Sequence, residues 1–507
     1  MSRIRGPRIL FAALVVLVIA GLYGAAGLRH PAAAAGAPRT PAVDVPVSSA
    51  VYACAAPGYA GPTAASLAIA AVPGSAPAGS VQVTRLVPGG SATTGPVLAT
   101  VTQPGLLHIS AVRPAPALPK SLRAGQPGSS PKVTTVAGRG GVIVTASGAM
   151  AQGLAAEQVS AGQPTAQCGA PSTSSWFIGP GQATAGNIEI YLINTDSAPA
   201  NAQVTATTDL TKGGPLLDNA DNGITVPPHS MVTQSLTGLV QSSKVLALQV
   251  STSVGRVVAA VRESKNGTDN GSWLPVSQPP ARSLVIAGIP HTSGSPKLFI
   301  AVPGGGTAAV KVTAVTQRGS YQPTGGTNIG LIGPAAYQIS LPSLGGVAGA
   351  LKLTSSAPIV AGVELPGGPA GAPGVMAATA APVQEQGVLA GSPAGQAGTA
   401  EVVLSAPGKA ATVRIAVGTA ATAVSAEAGV VVQVKAGGSV IVPVHAPAGH
   451  RGAPLTVLVS PVSGSGPVYA GWTVTAGGKL QLVQPVASAL TSVPLPPVQV
   501  VLSAVAP

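Results

Sequence analysis

Cys54 and Cys168 are the first residues whose chemistry can be argued from type alone. In an exported chain two thiols tend to pair, which makes a Cys54–Cys168 disulfide the expected state. Neither cysteine has a His near it, so a thiolate metal site lacks ligands. Of the six histidines only His445 and His450 stand close together, and on a turn they read as solvated side chains, not as zinc ligands. Few carboxylates are available for the paired acids of glycoside hydrolysis. Glu189, Glu263 and Glu364 fall in or beside strands and read as solvated strand-face residues. The stretch LLDNADNG, Leu216 to Gly223, has acidic and amide oxygens, but Ala220 and His229 occupy positions where a calcium loop of the EF-hand type needs ligands. It reads as a polar turn, as do Asn266-Gly and Asn270-Gly. Gly304 to Gly306 lie between two strands and not before a helix, which excludes a phosphate loop. Neither G-x-S-x-G nor H-E-x-x-H occurs. No catalytic, cofactor-binding or metal-binding residue is assigned, and no cofactor is expected.

Trp176, Trp273 and Trp472 stand out in a chain that is only 3% aromatic. Exposed, an indole stacks on a sugar ring; buried, it anchors a core or a linker. Trp176 and Trp273 are the candidates for ligand stacking, against the plainer reading that all three are anchors.

The elements that would hold these residues follow from composition. With 66 Gly and 50 Pro among 507 residues, long helices are excluded over most of the chain, because each proline removes a backbone donor and fixes φ. Charged residues make up 8%, well below the roughly 25% of an average globular protein. The net charge of +13 is scattered, without the basic stripe and interleaved aromatics of a nucleic-acid binder, so no nucleic-acid partner is expected. It suits an anionic neighbourhood such as lipid headgroups or acidic envelope polymers.

Arg3, Arg5 and Arg8 precede an uncharged apolar stretch from Ile9 to Leu28. Twenty residues at about 1.5 Å each match the ~30 Å hydrocarbon core of a bilayer. Residues 1–8 then form a cytoplasmic n-region, residues 9–28 a transmembrane signal anchor, and the rest of the chain is extracytoplasmic. The alternative is a cleaved signal peptide ending near Ala32 to Ala35, which would leave a secreted chain. Residues 29–50, rich in Ala and Pro without a period, read as a linker.

Beyond it one unit recurs four times. The run, turn and run of IEIYLINTDSAPANAQVTATT, from Ile188, reappears from Ser66, Leu298 and Ala400. Pro73, Thr195, Pro303 and Pro407 mark the equivalent turns, a period of about one small domain. Two further run-turn-run segments follow in each unit, and each of the three reads as a β-hairpin. Ile188, Ile190 and Leu192 alternate with Glu189 and Tyr191, giving one buried and one wet face. The expected fold is all-β, with tandem Ig-like β-sandwich modules at 51–165, 166–280, 281–384 and 385–507; the alternative is a β-propeller. The tail from Lys479 either completes the last module or covers an edge strand.

In the second unit, Trp176 with Gly179 and Gly181, then IYLINTDSAPANAQVTAT, ITVPPHSMVTQSL and LALQVSTSVGRVVAAV, resembles repeats of bacterial cell-surface proteins. With the apolar N-terminus, the chain is similar to an actinobacterial family of membrane-anchored, secreted β-rich repeat proteins, a domain of unknown function. Thr195 stands where that pattern has Pro, and the first and last units lack the leading Trp. The resemblance implies fold and location and brings no catalytic residue. The function expected is a non-enzymatic scaffold or adhesion module of the cell envelope, with an envelope protein or polysaccharide as partner. The alternative is a glycan-binding accessory protein of envelope polysaccharide synthesis or attachment.

Overall fold

The computed structural model describes residues 43–55, 65–71, 79–86, 91, 93–102, 105–110, 141–160, 166–209, 223–237, 240–265, 271–291, 294–341, 348–368, 374–392, 398–419, 429–445 and 455–495. The expected anchor, the turn at Leu216, the two Asn-Gly sites and His450 lie outside them or at their edge. Among the described residues no helix is long and apolar enough to cross a membrane. Strands β1 (Val43–Pro46) and β32 (Ser492–Leu495) form a two-stranded ladder in a unit of its own. β1 falls in the stretch expected to be linker: Val43-Asp44-Val45 alternates for just long enough to pair.

The other unit, residues 46–491, holds four groups of strands. The first comprises β2 (Ser49–Cys54), β3 (Ala65–Ala71), β4 (Ser80–Arg85), β5 (Val97–Val101), β6 (Gly105–Ser110), β7 (Val142–Ser147), β8 (Ala155–Ser160) and β9 (Ala166–Gln167). They make two antiparallel sheets ordered β2-β7-β4-β5 and β6-β3-β8-β9. The second group comprises β10 (Ser174–Pro180), β11 (Asn187–Ile193), β12 (Ala200–Thr208), β13 (Ile224–Val226), β14 (Met231–Ser235), β15 (Val245–Val254), β16 (Val258–Ser264) and β17 (Gly271–Leu274). Its sheets, β10-β15-β12-β13 and β14-β11-β16-β17, repeat the same order. In the third group β18 (Ala281–Ile289), β19 (Lys297–Thr316), β20 (Gly319–Tyr321), β21 (Ile329–Ser340), β22 (Gly349–Leu365) and β23 (Val375–Ala378) share one continuous hydrogen-bond network. There β19 passes from one layer to the other through Pro303–Gly306, where the register shifts. The fourth group comprises β24 (Gly387–Ser392), β25 (Gly398–Ala406), β26 (Ala411–Thr419), β27 (Val430–Val434), β28 (Gly438–Val444), β29 (Leu455–Pro461), β30 (Tyr469–Ala476) and β31 (Lys479–Pro485). It returns to the paired order, β24-β29-β26-β27 and β28-β25-β30-β31, so the start of the tail completes the last sandwich.

The expected hairpins are not hairpins. β11 pairs with β14 and β16, whereas β12 pairs with β13 and β15, so the segment from Ile188 arches from one sheet to the other. Run, turn and run look the same in sequence whether the second run pairs with the first or crosses over. Asn194 holds this arch: its buried amide donates to the carbonyls of Ala198 at 2.7 Å and Val226 at 3.0 Å, while its oxygen accepts from the Asp196 N–H at 2.9 Å. This crossing also separates the fold from a propeller, whose blades are sheets of successive strands.

No residue of β11 is exposed on either face. Ile188, Ile190 and Leu192 enter the core of the second sandwich with Val204, Leu248 and Val261. On the opposite face Tyr191 and Ile193 are buried against Ala53 and Ile143 of the first group. Each group packs on the next in this way: Phe299, Ala301 and Val360 join the core of the second group, and Val285, Val315 and Ala350 meet Tyr469 of the fourth. The fourth then returns to the first, where Val388, Ala390 and Leu458 pack on Ala68 and Ala70. Four sandwiches thereby close into a ring.

Candidate functional site

All four groups meet at a cavity of about 450 Å³, within the range of small-molecule sites. Most of its wall comes from strands at the sheet ends, the first strands β2 and β10 and the last strands β9, β17, β23 and β31, and β8 and β16 add residues from inside their sheets. Those sheet ends are tied across each sandwich by one backbone bridge that recurs in every group: Ala53 to Gly169, Trp176 to Ser277, Ile286 to Thr379 and Gly387 to Ser488. Lateral pairing positions near the cavity are thus partly taken within the chain.

Among the described residues the lining carries no Asp, Glu, Lys, Arg or His. It offers Gln158, Gln167, Gln278, Gln481 and Gln484, several serines, Tyr52, and both indoles singled out from sequence, Trp176 and Trp273. Trp176 is nearly buried and also belongs to the core of the second group. Trp273 is half-buried and leans on Tyr191, the ring centroids 5.4 Å apart and tilted by 54°. Tyr191 is fixed in turn by donating its hydroxyl to Glu189 at 2.8 Å. Burial, and then the hydrogen bond to Glu189, raise its pKa and keep the phenol neutral. Trp472, by contrast, is a core residue of the fourth sandwich.

Cys54 and Cys168 form a disulfide in the cavity wall. It joins the end of β2 to the residue after β9 and so clasps the two sheets of the first group. Ala166 and Gln167 pair with β8, so this strand belongs to the first sandwich although it lies just past residue 165.

Three amide or hydroxyl groups in the wall, Gln158 Nε2, both polar atoms of Gln484, and Ser272 Oγ, are buried without a hydrogen-bond partner among the described residues. Each residue is 5% exposed. Sequence reasoning missed all three, since Gln and Ser in strands pass for solvated surface. The available signal was position: Gln484 sits inside the apolar alternation of KLQLVQP.

Two of the three glutamates read as solvated are buried: Glu263 at 0% and Glu364 at 6% exposure. Packing between the second and third groups removes the water their strand positions would otherwise meet. Burial, and then the charge of Glu364, raise the pKa of Glu263 well above the usual carboxylate range. Burial also raises that of Glu364, against the pull of Lys297 3.2 Å away. A third carboxyl, Glu157, lies between the first and fourth groups, where its Oε1 accepts the Ala390 N–H at 3.1 Å. Burial pushes its pKa up to about 8. None of the three lines the cavity. His445 is exposed, and no three metal-ligating side chains gather among the described residues.

Compared with known proteins, the chain matches one family model over residues 124–471, described as a family of unknown function, DUF5719. No curated protein matches it.

Proposed function

Because the chain belongs to the DUF5719 family of unknown function, we propose its role from the ring: a non-enzymatic scaffold or adhesion module of the cell envelope that holds its partner at the central cavity. The observation that carries this reading is the convergence of all four sandwiches on one cavity whose described lining is uncharged. A scaffold needs a rigid, shared docking point, and closure of the ring supplies one. The arginine-flanked apolar stretch from Ile9 to Leu28 supports a membrane-anchored, extracytoplasmic placement. A structural disulfide fits the same oxidising side of the membrane. The family's actinobacterial distribution and repeat character belong to this reading too, carried by the sequence resemblance.

A second reading, a glycan-binding accessory of envelope polysaccharide synthesis or attachment, is favoured by Trp176 and Trp273 lying in the cavity wall. Val276 is an exposed residue of the cavity lining, while Val254 is exposed outside it. A photo-crosslinking amino acid at Val276, in the native envelope, should capture a discrete protein or polysaccharide adduct that the same probe at Val254 does not. Equal labelling from both positions would remove the cavity as the docking point.

A further inference from the structure

We infer that the ligand of the cavity is an uncharged carbohydrate segment, stacked on Trp273 and hydrogen-bonded by Gln158, Ser272 and Gln484. This deepens the binding role proposed above and rests on it. Buried polar groups in folded proteins are almost always paired, and leaving one unpaired is costly. Here three such residues, from the first, second and fourth groups, converge on one wall with unpaired atoms. A carboxamide both donates and accepts, which matches neighbouring hydroxyls of a sugar. An indole braced from behind by Tyr191 offers the flat apolar surface that sugar rings stack on.

Charge decides between sugars. An anionic glycan or phosphate needs a cation to offset its lost hydration, and the described residues of the lining include none. Backbone pairing decides against an extended peptide. Such a ligand adds to a free sheet edge, and the end strands here are bridged within their own sandwiches in all four groups.

The test uses the whole purified chain, with tryptophan fluorescence and titration calorimetry. The probes are neutral trisaccharides of mannose, galactose, glucose and arabinose, a trisaccharide of galacturonic acid, and an Ala/Gly-rich peptide. At least one neutral trisaccharide should bind saturably and change the indole emission. Gln158→Met and Gln484→Met should each weaken that binding at least tenfold while the melting temperature stays level or rises, because methionine keeps volume and removes the unpaired amide. Trp273→Phe should weaken binding less than Trp273→Ala. Binding only of the uronate or the peptide, no binding of any neutral sugar, or affinity unmoved by both methionine variants overturns the inference. Should the Val276 probe capture an envelope protein while no neutral sugar binds, the carbohydrate falls and the scaffold stands. Should it capture nothing above Val254 and no sugar bind, the binding role itself falls.

Discussion

Glu157 shows what a single side chain contributes at a seam between sandwiches. Its carboxyl is buried where the fourth group meets the first, and its pKa of about 8 lies above the unfolded value near 4.5. The folded state therefore holds the proton more tightly than the unfolded one. Stability from this group is full below pH ~4.5 and is lost as pH rises towards 8, by up to ~1.4 kcal/mol per unit. Glu263 and Glu364 shift in the same direction. The melting temperature is thus expected to fall between pH 5 and 8, and Glu157→Gln to flatten part of that slope; a slope the substitution leaves intact would show that Glu157 ionises freely. At this scale the sequence was legible where residue type is rare. Cys54, Cys168, Trp176 and Trp273 were singled out and do share one cavity wall. The buried glutamates and glutamines were not, because their burial comes from strands far away in the chain, such as β24 against Glu157, where the bonded residues are 233 positions apart.

Among elements, the strands were legible and their partners were not. Alternation in IEIYLI marks a strand, but Tyr191 and Ile193 on its second face already made the run nearly continuous, the mark of a strand covered on both sides. Reading that face as wet is what hid the ring. Turn residues likewise placed the chain reversals without saying that they bridge sheets. The contact between β18 and β30 gives this scale its prediction. Gly288 and Gly471 approach so closely that a Cβ added to Gly471 would lie 2.2 Å from the Gly288 Cα. Gly288 also has φ +79°, a conformation that favours glycine. Gly471→Ala should therefore destabilise by about 1–3 kcal/mol through overpacking between backbones that have no flexible side chain to yield. Chemical denaturation would measure it; an unchanged midpoint would mean that the third and fourth groups separate freely.

For the whole molecule, closure couples the four sandwiches. Every group buries two neighbour-facing surfaces, so calorimetry should give one unfolding transition for residues 46–491 and not four. The disulfide clasps the first group across a separation of 114 residues, and in the chain-entropy model a loop of that length contributes ~4–5 kcal/mol. Cys54→Ser with Cys168→Ser should lower the single transition as a whole; an early partial transition would show the first group melting alone. The four-part organisation was readable from the recurring turns, whereas the return of Val388 and Ala390 onto Ala68 and Ala70 has no counterpart in any local pattern. That return also bears on heredity. Open solenoids gain or lose copies one at a time, because each addition offers the same end as before. Here a fifth copy would find no gap to enter, and a lost one would bare two apolar surfaces at once. Gene duplication can therefore diversify the four copies, but their number is fixed by geometry.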